Sequence, residues 1–213
     1  MSNIKLFMNP TDTAFLRYTF ILFLIAIGSY AQENYNTAAI LNIEDITKNT
    51  TKEELIKRYG INNIKNDKIC IEEDMYEIGT KLFCDSTDEL LIIWKDTVSF
   101  SKPKHIFIRK QQTNWRLNNN ITTGVDLKTL EKLNQSPFCI VGFGWGFSGT
   151  VIDWNGGVLE KVFSTYDSVT IRLSPDTNMM DIPTLFIGDT EINSSHPFIQ
   201  TLNPQAYEIV LSF

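Results

Sequence analysis

The 213-residue sequence predicts an α+β fold of two similar halves, each a short capped helix packed on antiparallel strands. Three observations predict it. Helix signals at residues 51–60 and 126–133 are each followed by short runs of β-branched and aromatic residues separated by turn formers. Hydrophobic residues make up 43% and charged residues 21%, ordinary values for a globular protein with a real core, in one domain or two small ones. Matching stretches also recur: Gly79-Thr80-Lys81-Leu82-Phe83 precedes Trp94, and Gly149-Thr150-Val151-Ile152 precedes Trp154. Their order suggests a degenerate internal repeat of roughly 70–90 residues.

The elements are taken in chain order. Lys5 and Arg17 precede the apolar run Tyr18 to Gly28, and small residues Ser29 and Ala31 come after it. That run is shorter than the roughly 20 residues a spanning helix needs, so residues 1–31 read as a cleavable export signal. Residues 32–42 are polar and read as a flexible lead-in. The first half spans 43–120. Its "TKEE" stretch, Thr51 to Glu54, is a capping box, with Leu55, Ile56 and Tyr59 as the apolar stripe and Gly60 as the stop. "NNIKNDKICIEE" and "GTKLFCDS" read as strands joined by a turn near Met75 to Ile78, with "ELLIIWKD" and "KHIFIRKQQ" as the next two strands. "TNWRLNNN" reads as a polar loop with Trp115 at its middle.

The second half spans 121–213. Asp126 caps a helix carrying Leu127, Leu130 and Leu133 on one face. "PFCIVGFGW", "GTVIDW" and "VLEKVF" read as strands, the last two joined at Asn155-Gly156, a short hairpin signal. "DSVTIRLS" is a further strand. "SSHPFIQTLNP" is a short helix capped near Ser195 with Pro197 in its first turn, and "AYEIVLSF" closes the chain as a strand.

Charge and motifs exclude several functions. The net charge of −6 and the lack of any long Lys/Arg cluster argue against nucleic acid and anionic lipid surfaces. "GWGFSG", Gly144 to Gly149, spells a dinucleotide fingerprint. Yet the β-branched "TVIDWNGG" comes next, and not the helix whose N-terminus would hold the pyrophosphate. Its glycines read instead as bulge or close-approach positions. His105 and His196 lie in unrelated elements without zinc spacing. "SSHP" lacks the nucleophile turn and reads as a helix cap. The acidic run Glu72-Glu73-Asp74 reads as a solvated turn. No catalytic constellation, metal site or cofactor site emerges, so the expectation is a non-enzymatic protein.

The remaining candidates concern structure and contact. Cys70 and Cys84 flank the expected turn and, in an oxidising compartment, would pair as a disulfide, leaving Cys139 as a free core thiol. Phe143, Trp145 and Phe147 share a period-two spacing and lie close to Trp154. They fit the core face of a sheet, or else an exposed adhesive face for a protein or sugar. Trp115, beside Arg116 in a polar loop, reads as an exposed anchor.

The paired plan of a "T-x-x-E-L" helix and then antiparallel strands resembles the SmpA/OmlA and β-lactamase-inhibitor-protein type of repeat. "GTKLF…IIWKD" and "GFGWGFSGTVIDWNGG" look like a group of bacterial secreted proteins. The likeness covers about Ile43 to Phe213. It implies helices packed on a concave antiparallel sheet, and a function in protein binding. The expectation is therefore an exported periplasmic or extracellular protein, without a stable membrane anchor after cleavage, that binds another envelope or extracellular protein. A small-ligand or glycan binder with an aromatic pocket is the alternative.

Overall fold

The computed structural model describes residues 39–213, and Ile40–Phe213 form one compact unit. The expected export signal and most of the lead-in lie outside the described residues. In chain order, Leu41–Asn42 (β1) precedes Lys52–Tyr59 (α1), Ile64–Glu72 (β2), Met75–Leu82 (β3), Leu90–Asp96 (β4), Ser101–Ile108 (β5) and Trp115–Arg116 (β6). Then come Leu127–Asn134 (α2), Cys139–Val141 (β7), Val151–Asp153 (β8), Val158–Val162 (α3), Ser168–Ser174 (β9), Glu191–Asn193 (β10), Pro197–Leu202 (α4) and Gln205–Ser212 (β11). Mixed helix and antiparallel sheet agree with the α+β class.

One six-stranded antiparallel sheet in the order β2-β3-β4-β5-β11-β9 dominates the unit. The last strand of the chain enters between β5 and β9, so residues from both halves of the sequence build one sheet. A three-stranded sheet, β10-β7-β8, and the parallel pair β1-β6 complete it.

The helices start and stop where local chemistry allows. Thr51 Oγ1 accepts from Glu54 N at 3.2 Å while Glu54 Oε2 accepts from Thr51 N at 3.0 Å, the reciprocal box expected at α1. Such a cap is worth about 1 kcal/mol. Asp126 caps α2 by accepting from Thr129 N at 2.8 Å. At α4 the cap is His196, one residue beyond Ser195, and Pro197 is the first helical residue. Leu55, Leu130, Leu159 and Ile199, one from each helix, are buried with Leu82, Leu90, Ile92, Ile106, Ile171 and Ile209. All four helices thus contribute to one core, on one face of the large sheet. No helix among the described residues is long and apolar enough to cross a membrane.

Two expectations are corrected. "VLEKVF" is helical over Val158–Val162, not a strand. Asn155 and Gly156 do take the left-handed backbone of the expected turn, at φ 50° and 69°. The chain then leaves into a helix because the buried Asn134 accepts from Leu159 N at 3.1 Å, anchoring the first turn of α3. Cys70 and Cys84 are free thiols. The hairpin turns at Glu73-Asp74, pairing Cys70 with Tyr76 and Ile64 with Leu82. Cys84 therefore lies beyond the far end of the hairpin, about 20 Å from Cys70 at the rise of a β-strand.

The large sheet buries part of its other face without a helix. "LLIIW" is apolar at every position because β4 is covered on both sides: Leu90, Ile92 and Trp94 meet the helices, and Leu91 and Ile93 join Ile69 and Phe107 in a second cluster. The cover comes from the sheet itself. β3 pairs with β4 only from Gly79 to Leu82, so the rest of the β2–β3 hairpin is a two-stranded arm. Gly79 lets the arm fold inward. A Cβ there would lie 2.5 Å from Ile69 Cδ1 and 3.0 Å from Ile93 Cδ1. Without it, the two isoleucines meet across the gap and the sheet curls.

Candidate functional site

The arm and the sheet it leans over enclose a groove of about 330 Å³. Phe107 on β5 and Val210 on β11 are apolar residues of the sheet in its lining; Ile71 and Met75 belong to the arm. His105, Thr170, Arg172 and Ser212 line it from the sheet, and Glu72 and Glu77 from the arm. Two basic residues, Lys104 on β5 and Arg109 just beyond its end, hold the arm down. Arg109 Nη1 donates to Cys70 O at 2.6 Å, and Lys104 Nζ meets Glu77 Oε1 at 2.9 Å.

Beside the groove lies a charge cluster. Glu208 accepts from Arg109 Nε at 2.5 Å and from Arg172 Nη1 at 2.8 Å, with its side chain only 5% exposed. A β-bulge between Ala206 and Glu208 sets this up. Plain alternation would put Glu208 on the same face as Ala206, in the main core. The extra residue, Tyr207, lets Ala206 and Ile209 both enter that core and turns Glu208 to the arm side. Burial pushes the Tyr207 hydroxyl above its ordinary range, with the Arg172 charge pulling it back. One carboxylate is thus shared between two guanidinium groups. Arg172 Nε is buried without an acceptor.

His105 and Ser212 are direct partners across β5 and β11, and His105 Nδ1 lies 3.0 Å from Ser212 Oγ. Burial first, then the Lys104 charge, push the imidazole below 6.5, so it is neutral at pH 7. Nucleophilic use of Ser212 would need an acid to orient the imidazole, and the nearest one, Glu77, is committed to Lys104. The Ser194 hydroxyl of the "SSHP" stretch is buried; it accepts from Phe138 N at 2.9 Å and donates to Glu131. That hydroxyl joins α2 to the start of β7 and is unavailable for chemistry.

One group of potential metal donors occurs among the described residues. Cys84, Asp85 and Glu89 bring ligand atoms within 4.8 Å of one another. Burial, then the hydrogen bond to Asp85, push the Cys84 thiol above its ordinary range.

The aromatic candidates separate. Trp115 is fully buried, not an exposed anchor: its indole N–H donates to Asp88 O at 2.8 Å, and Tyr59 and Phe83 pack around it. Asp88 accepts from Asn114 and Thr113 as well, which folds the polar-looking loop inward. Phe143 is fully buried too. Trp154 is half-buried between Phe138 and Phe163, with centroids at 5.1 and 5.6 Å. Strand β7 ends at Val141, so Phe143, Trp145 and Phe147 do not share a sheet face. Trp145 and Phe147 are exposed at 41% and 45% and meet edge to face at 5.3 Å. Phe147 also covers the Arg172 guanidinium at 5.7 Å, which brings this loop to the rim of the groove.

The last glycine of "GWGFSG" has a structural role. Gly149 sits at φ +65°, and its Cα faces the backbone of Leu173 so closely that a Cβ would collide with the Leu173 carbonyl. Leu173 N donates to Gly149 O at 2.9 Å, which seals the loop to the edge of β9. The next element is strand β8, and not a helix.

Arg109, Arg172, Glu208, Phe107 and Gly79 do not stand out in the sequence as site residues. One signal was available: Glu208 interrupts the apolar run "AYEIVL", whereas Arg172 falls on the polar phase of the alternating "SVTIRLS" and gives none. Comparison with protein-family models, curated proteins and solved structures finds no match.

Proposed function

We propose that this chain is an exported, non-enzymatic binding protein that acts through protein–protein contact in the cell envelope. Its contact surface is the helix-free side of the curled sheet, together with the Trp145–Phe147 loop. The observation that carries this reading is the continuity of an exposed aromatic pair, a cation beneath it and a partly apolar groove. Aromatic and arginine side chains at the centre of a patch are the usual anchors of protein interfaces. The finer architecture belongs to the same proposal. Two halves, each a capped helix and then strands, form a repeat of the β-lactamase-inhibitor-protein type, with Gly79-Thr80 and Gly149-Thr150 as equivalent positions. The glycan alternative loses ground because Trp154 is engaged by Phe138 and Phe163.

The test is photo-cross-linking in intact source cells from a benzophenone at position 147, with position 57 on the exposed side of α1 as control. One dominant envelope protein captured from 147 and not from 57 is the expected result. Equal capture from both positions, or none from 147 at good expression, refutes the proposal.

A further inference from the structure

We infer that the loop end of the β10-β7-β8 sheet docks on a protein surface that is apolar at its centre and carries lysine or arginine around it. This rests on the binding-protein reading and adds the chemistry of the partner.

Two segments build this surface. Residues 142–149 leave β7, and residues 175–191 run from the end of β9 into β10. They lie side by side: Phe143 N donates to Phe186 O at 2.8 Å, and Gly188 N donates to Phe143 O at 2.9 Å. The approach is close because position 142 is glycine, where a Cβ would meet Phe186 O at 2.7 Å and Gly188 O at 2.8 Å. Trp145 folds back over this junction, its indole N–H donating to Gly142 O at 3.2 Å. Buried Phe143, Ile182 and Phe186 root both segments in the core. Anchored so, they present Trp145, Phe147, Met180 and Leu185 to solvent, at 41%, 45%, 92% and 60% exposure. Large apolar side chains gathered at a surface mark a contact site.

Charge selects what covers them. No lysine or arginine occurs from residue 133 to 160 or from 173 to 213, and these two stretches hold seven carboxylates. They account for the whole net charge of −6, so the rest of the chain is nearly neutral. Asp176, Asp181, Asp189 and Glu191 belong to the loop end and are exposed. None of the four has an ion-pair partner among the described residues. Asp181 follows Met180 directly, and the bond from Gly142 N to Thr190 O at 2.8 Å sets Asp189 and Glu191 beside the start of the Trp145 loop. Arg172 lies beneath Phe147, but Glu208 accepts from it and its side chain is only 17% exposed. Lys132 and Lys161 stand on α2 and α3, outside these loops. The balance is therefore one-sided, with apolar tips among free carboxylates. An acidic partner or an anionic lipid surface is repelled, and a partner with a basic rim is attracted. Rim charges set encounter and choice of partner, while apolar contact at the centre supplies affinity.

The test titrates peptides into the isotope-labelled protein and follows them by NMR. The probe is N-acetyl-Lys-Leu-Phe-Leu-Lys-amide. One counterpart has Glu in place of both Lys residues, and another has Ala in place of the Leu and Phe residues. The probe is expected to shift the amide signals of Trp145, Phe147, Leu185 and Asp189 and to bind roughly ten-fold tighter than either counterpart. Its affinity should fall several-fold between about 0.01 M and about 0.15 M salt, as the screening length shortens from about 30 Å to about 8 Å. The combined variant Asp181→Asn, Asp189→Asn, Glu191→Gln is expected to reduce the preference for Lys over Glu to within about two-fold. The peptide comparison on the unaltered protein stands even if that variant misfolds. Equal affinity for the probe and either counterpart overturns the proposal, as do shifts that are absent or confined to other surfaces. Broadening of the Trp145 and Phe147 amides by phosphatidylcholine vesicles, without loop shifts from the probe, overturns it in favour of a lipid surface. A protein captured from position 147 whose cross-linked segment lacks lysine and arginine sinks this inference alone and leaves the binding-protein reading standing.

Discussion

His105 shows how one residue's surroundings become a pH response. Burial and the neighbouring Lys104 charge both favour the neutral imidazole, so its folded pKa lies below the ordinary 6.5. Between those two values the unfolded chain binds the extra proton and the folded chain does not. Stability therefore rises with pH across that window and is lost as pH falls below about 6.5. An NMR titration of the ring should give a midpoint below 6.5, and His105→Gln should lose less stability than the unaltered protein between pH 7 and pH 5. A midpoint at or above 6.5 would show that Glu77 dominates its field. The aromatic residues carry a different lesson. Trp115 defies its local sequence because a polar loop looks solvated, yet Asp88, 27 positions away, supplies the acceptors that let Asn114, Thr113 and the indole fold inward. Nothing local to "TNWRLNNN" encodes a partner that distant.

At the scale of the element, the arm depends on Gly79. Substituting alanine places a methyl against Ile69, Ile93 and the Ile92 carbonyl, and overpacking of this kind costs about 1–3 kcal/mol. Gly79→Ala should lose that much in chemical denaturation, and hydrogen exchange in the arm around Ile69 should rise because the arm lifts. Unchanged exchange would mean that the polar ties to Arg109 and Lys104, and not the contact across Gly79, hold the arm. The capped helices and most strands of the large sheet were legible, since a capping box, an Asp cap and period-two runs are local signals. Elements set by distant contacts were not. Val158–Val162 has a strand-like composition and becomes a helix through the amide of Asn134. The expected disulfide failed on register: a turn at Glu73-Asp74 instead of Met75 to Ile78 moves Cys70 and Cys84 to opposite ends of one hairpin. The groove was invisible for the same reason, because it exists only once the arm has folded over β5 and β11.

The whole molecule is unified by its last strand. β11 lies between β5 of the first half and β9 of the second, so neither half owns a complete sheet. Ile106 and Ile108 on β5 share one core with Ile171, Leu173, Ile209 and Leu211 from the second half. Burying a side chain of this size stabilises by about 1.5–3 kcal/mol, against a net stability of about 5–15 kcal/mol for a typical domain. Division of the chain after residue 120 would strip β5 of its partner, uncover these isoleucines and separate Arg109 from Glu208. It would also leave Glu208 with Arg172 alone. Segments 43–120 and 121–213 produced separately should thus show no cooperative thermal transition, whereas the two mixed should recover one together with the native far-ultraviolet dichroism. Independent melting of either segment would show that each half closes its own core, and would make the two-half description one of separate domains and not of a shared sheet.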